Sequence, residues 1–527
     1  STGAAMHILM ISAENGALSG GKVGGLGDVI GEVPPALARK GCSVSVVPPS
    51  HGFLHRRHEA SAAGMLSFRF FGVDHQAALH SVKPASDTGE RVRHYVIDHT
   101  IFAPSAEGFK PSGIYCTDPA EAPFATDATR FAFFGAAVAE AFKKHAFGTV
   151  DVLHLHDWHA AFLMILRRYG SGYRDLGGVR CVFSIHNLAF QGIRPFEGSP
   201  SSLAAWYPHL VLPRHEIADP RWPNCVNPMA AGIRLADAVH TVSPSYAEEI
   251  CRPSAPPGFF GGEGLEADLL AARAQGRLFG ILNGCRYPKD RGPGALGFRD
   301  LCRLLQETAL GWAKRAPAPA HFAAHSRLAE CGALPGRPAT VLTAVTRVVE
   351  QKLLLLKAPA TNGSPALHAL LEGLGPRGIF LLLGTGDAGY EQFLIETGVR
   401  FRNFIFLNGY SDEAARALYA NGDLFVMPSS FEPCGISQML AMRDGQPCVV
   451  HRTGGLKDTV AHGVNGFCFE GGTVAEQAGH FVSVCLQAME LRQAQPERWQ
   501  GIRRNASAAR FSWDDSAAAY LAQLYRS

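Results

Sequence analysis

Two series of short apolar segments, each alternating with helix-length stretches, constrain the fold of this chain more than any other feature. The first series lies at 7–12, 43–48, 92–97, 150–155, 180–186 and 238–242, and the second at 339–345, 379–383, 403–407, 424–427 and 448–451. Short runs rich in Val, Ile and Leu are typical of strands buried on both faces. Because these strands alternate with helices, we predict an α/β protein with two Rossmann-like, doubly wound parallel-sheet domains that face a cleft.

The length of 527 residues also favours two domains over one core. We place an N-terminal domain at 6–285 and a C-terminal domain at 337–505. The segment 286–336 has proline- and glycine-rich patches around a possible helix at 299–310, and it is predicted to be a linker or an elaboration. A last helix within 506–527 is expected to cross back to the N-terminal domain.

Composition excludes several classes of function. A net charge of +3 argues against nucleic acid or an anionic membrane as the main partner. The 12 cysteines include no C-x-x-C pair, which favours reduced thiols over disulfides or a zinc motif. No apolar run has membrane-spanning length, and the first residues lack the basic region of a signal peptide. We expect bacterial cytoplasm or plastid stroma, with no metal and no membrane partner.

A glycine-rich bend follows the first strand. It reads Lys22-Val23-Gly24-Gly25-Leu26-Gly27-Asp28 and leads into a helix that ends near Gly41. Backbone N–H groups at such a helix start bind anions, and Lys22 adds a positive charge while Asp28 faces the same side. A tight turn without a ligand is the alternative interpretation.

Polar residues end two later strands of the first series. His156-Asp157-Trp158-His159 follows one strand, and His186-Asn187 follows the next. Carboxyl ends of parallel strands are where ligands bind in such sheets. The alternatives are that Asp157 caps the following helix and that His186 is a buried structural histidine.

The second series carries cations and glycines at the same kind of position. Arg347 and Lys352 follow one strand, and these two cations are suited to hold a pyrophosphate that leaves with negative charge. Glu432 precedes a helix and can accept hydrogen bonds from sugar hydroxyls, or simply stabilise the helix dipole. Thr453-Gly454-Gly455 repeats the glycine bend, with amides predicted to be open.

In order along the chain, these motifs resemble the glycogen and starch synthase family of retaining GT-B glycosyltransferases. The matching segments are KVGGLGDVI, HDWHAA, IHNLAFQG, ADAVHTVSPSYAEEI, GILNG, RVVEQK, FEPCGISQ, RTGGLKDTV and FSWDDSA. The resemblance implies retaining transfer of glucose from ADP-glucose, or UDP-glucose, to the non-reducing end of an α-1,4-glucan. It also implies that no metal cofactor is needed, because cations of the chain replace it.

The resemblance assigns roles to particular positions. It implies catalytic roles for Asp157, His186, Arg347, Lys352 and Glu432. It implies contacts with the nucleotide sugar, directly or at the hinge side of the cleft, for Lys22, Gly24, Gly25, Asp28, Asn187, Asn283, Tyr410, Cys434, Gly435, Thr453, Gly454 and Gly455.

The chain departs from the family pattern at a few positions. Cys285-Arg286-Tyr287-Pro288 replaces an aliphatic residue and an aspartate, Leu353 stands where the family commonly has glycine, and Met229 or Ala230 where it has lysine. Two other hypotheses therefore stay open: a catalytically weak homologue that binds glucan or regulates a partner, and an enzyme that glucosylates a small sugar.

Overall fold

The strands and helices form two units in the computed structural model, which describes residues 5–105, 108–110, 112–289, 294–360 and 362–526. Unit 1 contains the chain up to Ser254, Gly261–Asn283 and the residues from Trp513 onward. Unit 2 contains Ala255–Phe260 and Gly284–Ser512. Residues 290–293 of the predicted linker and Ser527 lie outside the described residues. Among the described helices, none is both long and apolar enough to cross a membrane.

Unit 1 is built on a nine-stranded sheet, and every apolar segment of the first series forms one of its strands. The strands of this unit are β1 His7–Ile11, β2 Ser43–Val47, β3 Glu59–Phe70, β4 Val73–Lys83, β5 Val92–Asp98, β6 Val152–His156, β7 Arg180–Ile185, β8 Arg194–Pro195, β9 Cys225–Val226, β10 Ala238–Thr241 and β11 Leu278–Gly280. The sheet has the order β11-β10-β7-β6-β1-β2-β5-β4-β3, while β8 and β9 pair separately. Strand order reverses between β1 and β6, and in such sheets ligands bind at this switch point.

Helices cover the first sheet. They are α1 Gly25–Arg39, α2 Leu54–Arg57, α3 Ala125–Lys143, α4 Asp157–Ala160, α5 Phe162–Tyr169, α6 Arg174–Gly177, α7 Leu203–Trp206, α8 Pro228–Leu235, α9 Pro244–Glu249 and α10 Glu266–Ala274, with 3-10 turns at Thr100–Phe102 and Arg214–Glu216. Helix α1 ends where expected, since Gly41 has φ +93° and turns the chain toward β2. The core lies between these helices and the sheet, and its apolar side chains are almost fully buried.

One part of the first sheet was not predicted. Strands β3 and β4 form an antiparallel hairpin, and β4 pairs antiparallel with β5 at the sheet edge. Residues 59–65 are all exposed, so this edge strand has no apolar run from which it could have been recognised.

Unit 2 is built on a six-stranded parallel sheet formed by the second series. Its strands are β12 Thr340–Val345, β13 Gly378–Leu383, β14 Phe404–Leu407, β15 Leu424–Met427, β16 Cys448–His451 and β17 Phe467–Phe469, in the order β14-β13-β12-β15-β16-β17. Its helices are α11 Phe298–Arg315, α12 Pro319–Ala333, α13 Glu350–Lys357, α14 Ala366–Leu374, α15 Ala388–Arg400, α16 Asp412–Ala420, α17 Ser437–Arg443, α18 Gly454–Thr459, α19 Val474–Ala494 and α20 Pro496–Ala508. The switch point of this sheet lies between β12 and β15.

The segment predicted to be a linker contributes to the core of unit 2. Helix α11 buries Leu301, Leu305 and Trp312, and α12 buries Leu328, in one apolar cluster with residues of β12, β13 and β14. The segment is therefore an integral part of this unit, because its amphipathic helices cover one face of the sheet.

The C-terminal residues belong to unit 1. Helix α21 Trp513–Ala519 continues into a π-helix over Tyr520–Leu524. Trp513 Nε1 donates to Glu32 Oε2 at 3.2 Å, and the Ser516 hydroxyl donates to the Leu282 carbonyl at 2.6 Å. Tyr520 and Leu524 are fully buried in the core of this unit.

Candidate active site

The glycine-rich bend lies at the switch point of the first sheet, between β1 and α1. Lys22 Nζ donates to Asp28 Oδ1 at 2.6 Å, and about half of the Lys22 side chain is exposed. Helix α1 begins at Gly25, which is exposed, and Gly24 precedes it in extended conformation. The structure thus brings together the four residues of this bend that the sequence singled out.

A buried carboxylate that sequence reasoning missed occupies part of this bend. Glu14 Oε1 accepts from the backbone N–H of Val23 at 2.6 Å and of Gly24 at 3.1 Å. Glu14 Oε2 accepts from the Tyr115 hydroxyl at 2.5 Å, and burial raises the pKa of this carboxyl. The prediction that the amide of Gly24 is open is therefore wrong, because Glu14 already accepts from it. A carboxylate three residues after the end of β1 was the signal that could have revealed Glu14.

Asp157 and His186 meet at the ends of neighbouring strands. Asp157 follows β6 in the left-handed region, with φ 59°, and its Oδ1 accepts from the backbone N–H of His186 at 2.7 Å. Its carboxylate thus links two strand ends instead of capping a helix. Burial raises the pKa of Asp157 to about 8. Asn187 comes next, and its Oδ1 accepts from the N–H of Ala189 at 3.0 Å.

Behind this pair runs a chain of buried histidines that the sequence analysis did not predict. His186 Nε2 lies 2.9 Å from His156 Nδ1, and the His156 ring stacks on His154 with centroids 4.1 Å apart. His154 Nε2 and His240 Nδ1 both contact the Ser184 hydroxyl, at 2.6 and 2.8 Å. Burial lowers the pKa of His186 to about 3 and that of His240 to about 4, so these rings are neutral at pH 7.

Two of the sequence motifs are joined by one close packing contact. Gly192, at the end of IHNLAFQG, has φ +71°, and a Cβ added there would lie 2.2 Å from the Trp158 ring. The Trp158 ring belongs to HDWH and is buried. Glycine is therefore required at position 192, because the backbone approaches the indole directly.

In unit 2, a buried ion pair spans the switch point of the sheet. Lys352 Nζ donates to Glu432 Oε2, and the Ser429 hydroxyl donates to the same oxygen at 3.0 Å. The side chains of Lys352 and Glu432 are 15% and 7% exposed. Lys352 comes from the start of the helix after β12, whereas Glu432 follows β15. The structure therefore joins two residues that the sequence placed on separate loops.

Arg347 differs from Lys352, although the sequence paired them. Arg347 follows β12 and is exposed, and no hydrogen bond or ion pair to its side chain occurs within the described residues. Its charge is thus available at the sheet edge, whereas that of Lys352 is already paired with Glu432.

The second glycine bend packs tightly on the loop that carries Glu432. Gly454 has φ +49°, and an added Cβ would lie 1.8 Å from the Glu432 carbonyl oxygen. The N–H of Gly455 donates to the carbonyls of Glu432 at 3.2 Å and Pro433 at 3.0 Å. The prediction of an open amide at Gly455 is therefore wrong, since two carbonyls accept from it. Thr453 precedes the helix α18 that these glycines begin.

The remaining predicted contacts lie at different places in the two units. Cys434 is buried, and Gly435 has φ +78° in the same loop. Tyr410 follows β14, is 56% exposed and donates its hydroxyl to Asp412 Oδ1 at 2.8 Å. Asn283 ends unit 1 at the point where the chain passes into unit 2, and its buried Oδ1 accepts no hydrogen bond from the described residues.

The departures from the family pattern are accommodated in the cores. Leu353 is 1% exposed in the core of unit 2, and Met229 and Ala230 are fully buried at the start of α8. Cys285 donates its backbone N–H to the Phe511 carbonyl at 2.8 Å, and the N–H of Phe511 donates to the Tyr287 hydroxyl at 2.8 Å. These residues therefore serve the packing of each unit.

Two doubly wound α/β units with charged strand ends fit the GT-B glycosyltransferase class that the sequence motifs imply. Comparisons with known proteins agree. Residues 7–271 match the model "Starch synthase catalytic domain", and residues 371–498 match "Glycosyl transferases group 1". The catalytic domain of starch synthase IV from Arabidopsis thaliana, solved with ADP and acarbose, has a TM-score of 0.74 at 25% identity, covering 99% of both chains.

Curated sequences give the family. A glycogen synthase of Streptococcus equi subsp. equi is 33% identical over 99% of this chain and 100% of its own length, and one of Streptococcus agalactiae serotype Ia is 32% identical over 99% of both. The chain belongs to the glycogen and starch synthase family. It is a retaining glycosyltransferase that moves a glucosyl unit from a nucleotide sugar to an α-glucan.

Proposed function

We propose that the nucleotide sugar is ADP-glucose, and that Arg347 and Lys352 hold its diphosphate as it departs. The observation that carries this proposal is the position of the two cations at the switch point of the second sheet, where Lys352 is fixed beside Glu432. The starch synthase IV structure, which was solved with ADP bound, supports ADP as the nucleotide product.

The chemistry explains why cations matter here. In retaining transfer, the bond from glucose C1 to the diphosphate oxygen breaks, and a bond from C1 to the acceptor oxygen forms on the same face of the sugar. The departing oxygen takes the proton of the acceptor hydroxyl, so the reaction balances without a separate enzymatic base. Negative charge grows on the diphosphate, and fixed cations stabilise it in the transition state. We propose that Arg347 and Lys352 supply this charge and that transfer needs no metal cofactor.

The other predicted residues are proposed to position the donor. Asp157, His186 and Asn187 would contact the glucosyl unit from unit 1. The neutral state of His186 suits it to exchange hydrogen bonds with sugar hydroxyls without adding charge. Lys22, Asp28 and the N–H of Gly25 would contact the phosphate or glucose.

In unit 2, three groups of residues are proposed to contact the donor. Glu432, Cys434 and Gly435 would position the transferred glucose, because the Lys352 and Ser429 contacts hold the Glu432 carboxylate in one place. Tyr410 would lie near the base, and Thr453 with Gly454 near the phosphates.

The acceptor is proposed to be the non-reducing end of an α-1,4-glucan. The compartment is proposed to be reducing, either bacterial cytoplasm or plastid stroma, because all 12 cysteines are free thiols in the structure.

The test is a set of incubations with ADP-glucose or UDP-glucose, each with and without glycogen. Nucleotide release and glucan chain length are followed together. Release of ADP only in the presence of glycogen, with longer chains, is the expected result. Release of UDP instead would replace the donor, release with a small sugar would replace the acceptor, and no release would favour a regulatory homologue.

The role of Arg347 is tested by Arg347→Ala, with Arg377→Ala as the matched control. Arg377 is also exposed, but it precedes β13. It therefore lies at the amino ends of the parallel strands, whereas Arg347 lies at their carboxyl ends. We expect Arg347→Ala to lower kcat by about 10²- to 10³-fold, as for removal of a transition-state charge donor, with thermal stability unchanged. Equal kcat in the two variants would contradict the proposed role.

A further inference from the structure

Three potential metal ligands meet beside the edge hairpin of unit 1, and none of them belongs to the candidate active site. His55 lies on α2, His80 on β4 and Asp98 at the end of β5. One ligand atom from each residue lies within 4.8 Å of the other two, and all three residues are partly buried. The separations of these residues along the chain match no metal-binding motif, which is why the sequence analysis predicted no metal.

The geometry of two ligands already fits a tetrahedral ion. His55 Nε2 and Asp98 Oδ2 are 3.3 Å apart. Ligands bound to tetrahedral Zn²⁺ at about 2.0–2.2 Å are roughly 3.3–3.5 Å from one another. The third ligand is close to them, because the His80 ring stacks on the His55 ring with centroids 5.0 Å apart.

Strand pairing brings His80 and Asp98 to the same face of the sheet. In the antiparallel pair β4–β5, Asp98 is opposite Ala78 and His80 is opposite Val96. His80 and Asp98 are therefore diagonal neighbours, whose side chains are within reach of each other. A small movement of the His80 ring would bring its nitrogen to bonding distance of the same ion.

The cluster also has features of a supported site. The Ser50 hydroxyl donates to Asp98 Oδ1 at 2.6 Å, and it accepts from the N–H of Gly52 at 3.0 Å. Metal-binding carboxylates are typically oriented by such a second hydrogen bond. His55 Nε2 is the ring nitrogen that faces Asp98, whereas His55 Nδ1 is buried and has no hydrogen-bond partner within the described residues. The support of the site thus comes from the Asp98 side.

We propose that His55, His80 and Asp98 bind Zn²⁺ or a similar divalent transition metal, with the fourth position left to water. Two imidazoles and one carboxylate are a usual ligand set for this ion. The site would fasten α2 to β4 and β5. Neighbours of the ligands in sequence or strand pairing, Leu54, Val82 and Val96, form a small apolar cluster with Leu18. Leu18 belongs to the loop that leads to the glycine-rich bend, so the ion would also stabilise that loop.

The test uses full-length protein treated with a chelator and then desalted. Zn²⁺ is titrated by calorimetry, Co²⁺ by visible absorption, and thermal unfolding is measured with and without Zn²⁺. His80→Gln and Asp98→Asn remove ligands with little change in volume. His75→Gln is the matched control, because His75 lies on the same strand but on its opposite face. All variants keep every cysteine, so binding to thiols is common to them.

We expect the wild type and His75→Gln to bind one equivalent of Zn²⁺ with a rise in melting temperature. His80→Gln and Asp98→Asn should each weaken binding at least tenfold and abolish the rise. A wild type without Zn²⁺-dependent stabilisation, or the same affinity in His80→Gln and His75→Gln, would overturn the proposal. An adventitious ion held by thiols alone would give this second result.

Discussion

Replacement of Lys352 by methionine is expected to destabilise unit 2 as well as to impair transfer. Methionine keeps the apolar stem of the lysine but leaves the Glu432 carboxylate, 7% exposed, without its cation. Loss of one partner of a fully buried pair costs about 3–5 kcal/mol. Because Lys352 is 15% exposed and Ser429 still donates to Glu432, we expect a loss of about 2–4 kcal/mol in the free energy of unfolding.

A double-mutant cycle isolates this contact. Lys352→Met, Glu432→Gln and the double variant are compared by urea unfolding, and hydrogen exchange of peptides covering 424–435 assigns the change to unit 2. The double variant should be more stable than Lys352→Met alone, because no unpaired charge remains. Lys357→Met is the control, since Lys357 is exposed at the other end of the same helix and should cost less than about 1 kcal/mol. Equal stability of Lys352→Met and Lys357→Met, with no coupling in the cycle, would refute this reasoning.

Two further predictions concern pH and the second glycine bend. Burial lowers the pKa of His186 to about 3 in the folded chain. As pH falls below about 6.5, His186 therefore binds a proton in the unfolded chain but stays neutral in the folded chain. Its contribution to stability is therefore present above pH 6.5 and lost toward pH 3. His186→Asn should reduce the acid-induced loss by about 1.4 kcal/mol per pH unit between pH 6 and 4, measured by urea unfolding; parallel pH profiles of the two proteins would contradict this. Gly454→Ala should cost more than about 3 kcal/mol or prevent folding, because its Cβ would lie 1.8 Å from the Glu432 carbonyl oxygen. Gly479→Ala, in the second turn of α19 with no atom within 4 Å of the added Cβ, should instead stabilise by about 0.5–1 kcal/mol in thermal unfolding.

Much of the fold could be predicted from local sequence. Each apolar segment of the two series forms a strand because burial on both faces demands a continuous run of apolar residues. The hairpin β3–β4 could not be predicted in this way, since its first half is exposed and its pairing depends on β5. The possible helix at 299–310 corresponds to α11, whereas α12 was not predicted, and the buried leucines of both helices complete a core.

The candidate site also has features that the sequence predicted and features that it did not. Asp157, His186, Arg347 and Glu432 all lie at strand ends, as predicted, because parallel strands place their carboxyl ends at one edge. Whether an amide was open could not be predicted. The carboxylate that accepts from the amide of Gly24 belongs to Glu14, ten residues earlier in the same connection between β1 and α1, and only the folded path of this connection brings the two together.

The sequence by itself determined the parallel strands of the two sheets, the strand ends that carry the charged residues, and membership of a glucosyltransferase family. These properties follow from local hydrophobic patterns and from motifs that are contiguous in the chain. Only the tertiary structure decided that Lys352 is paired with Glu432 while Arg347 is exposed, and that His55 and Asp98 are 3.3 Å apart. Such contacts join residues that are distant in sequence, so they exist only once the sheets have formed.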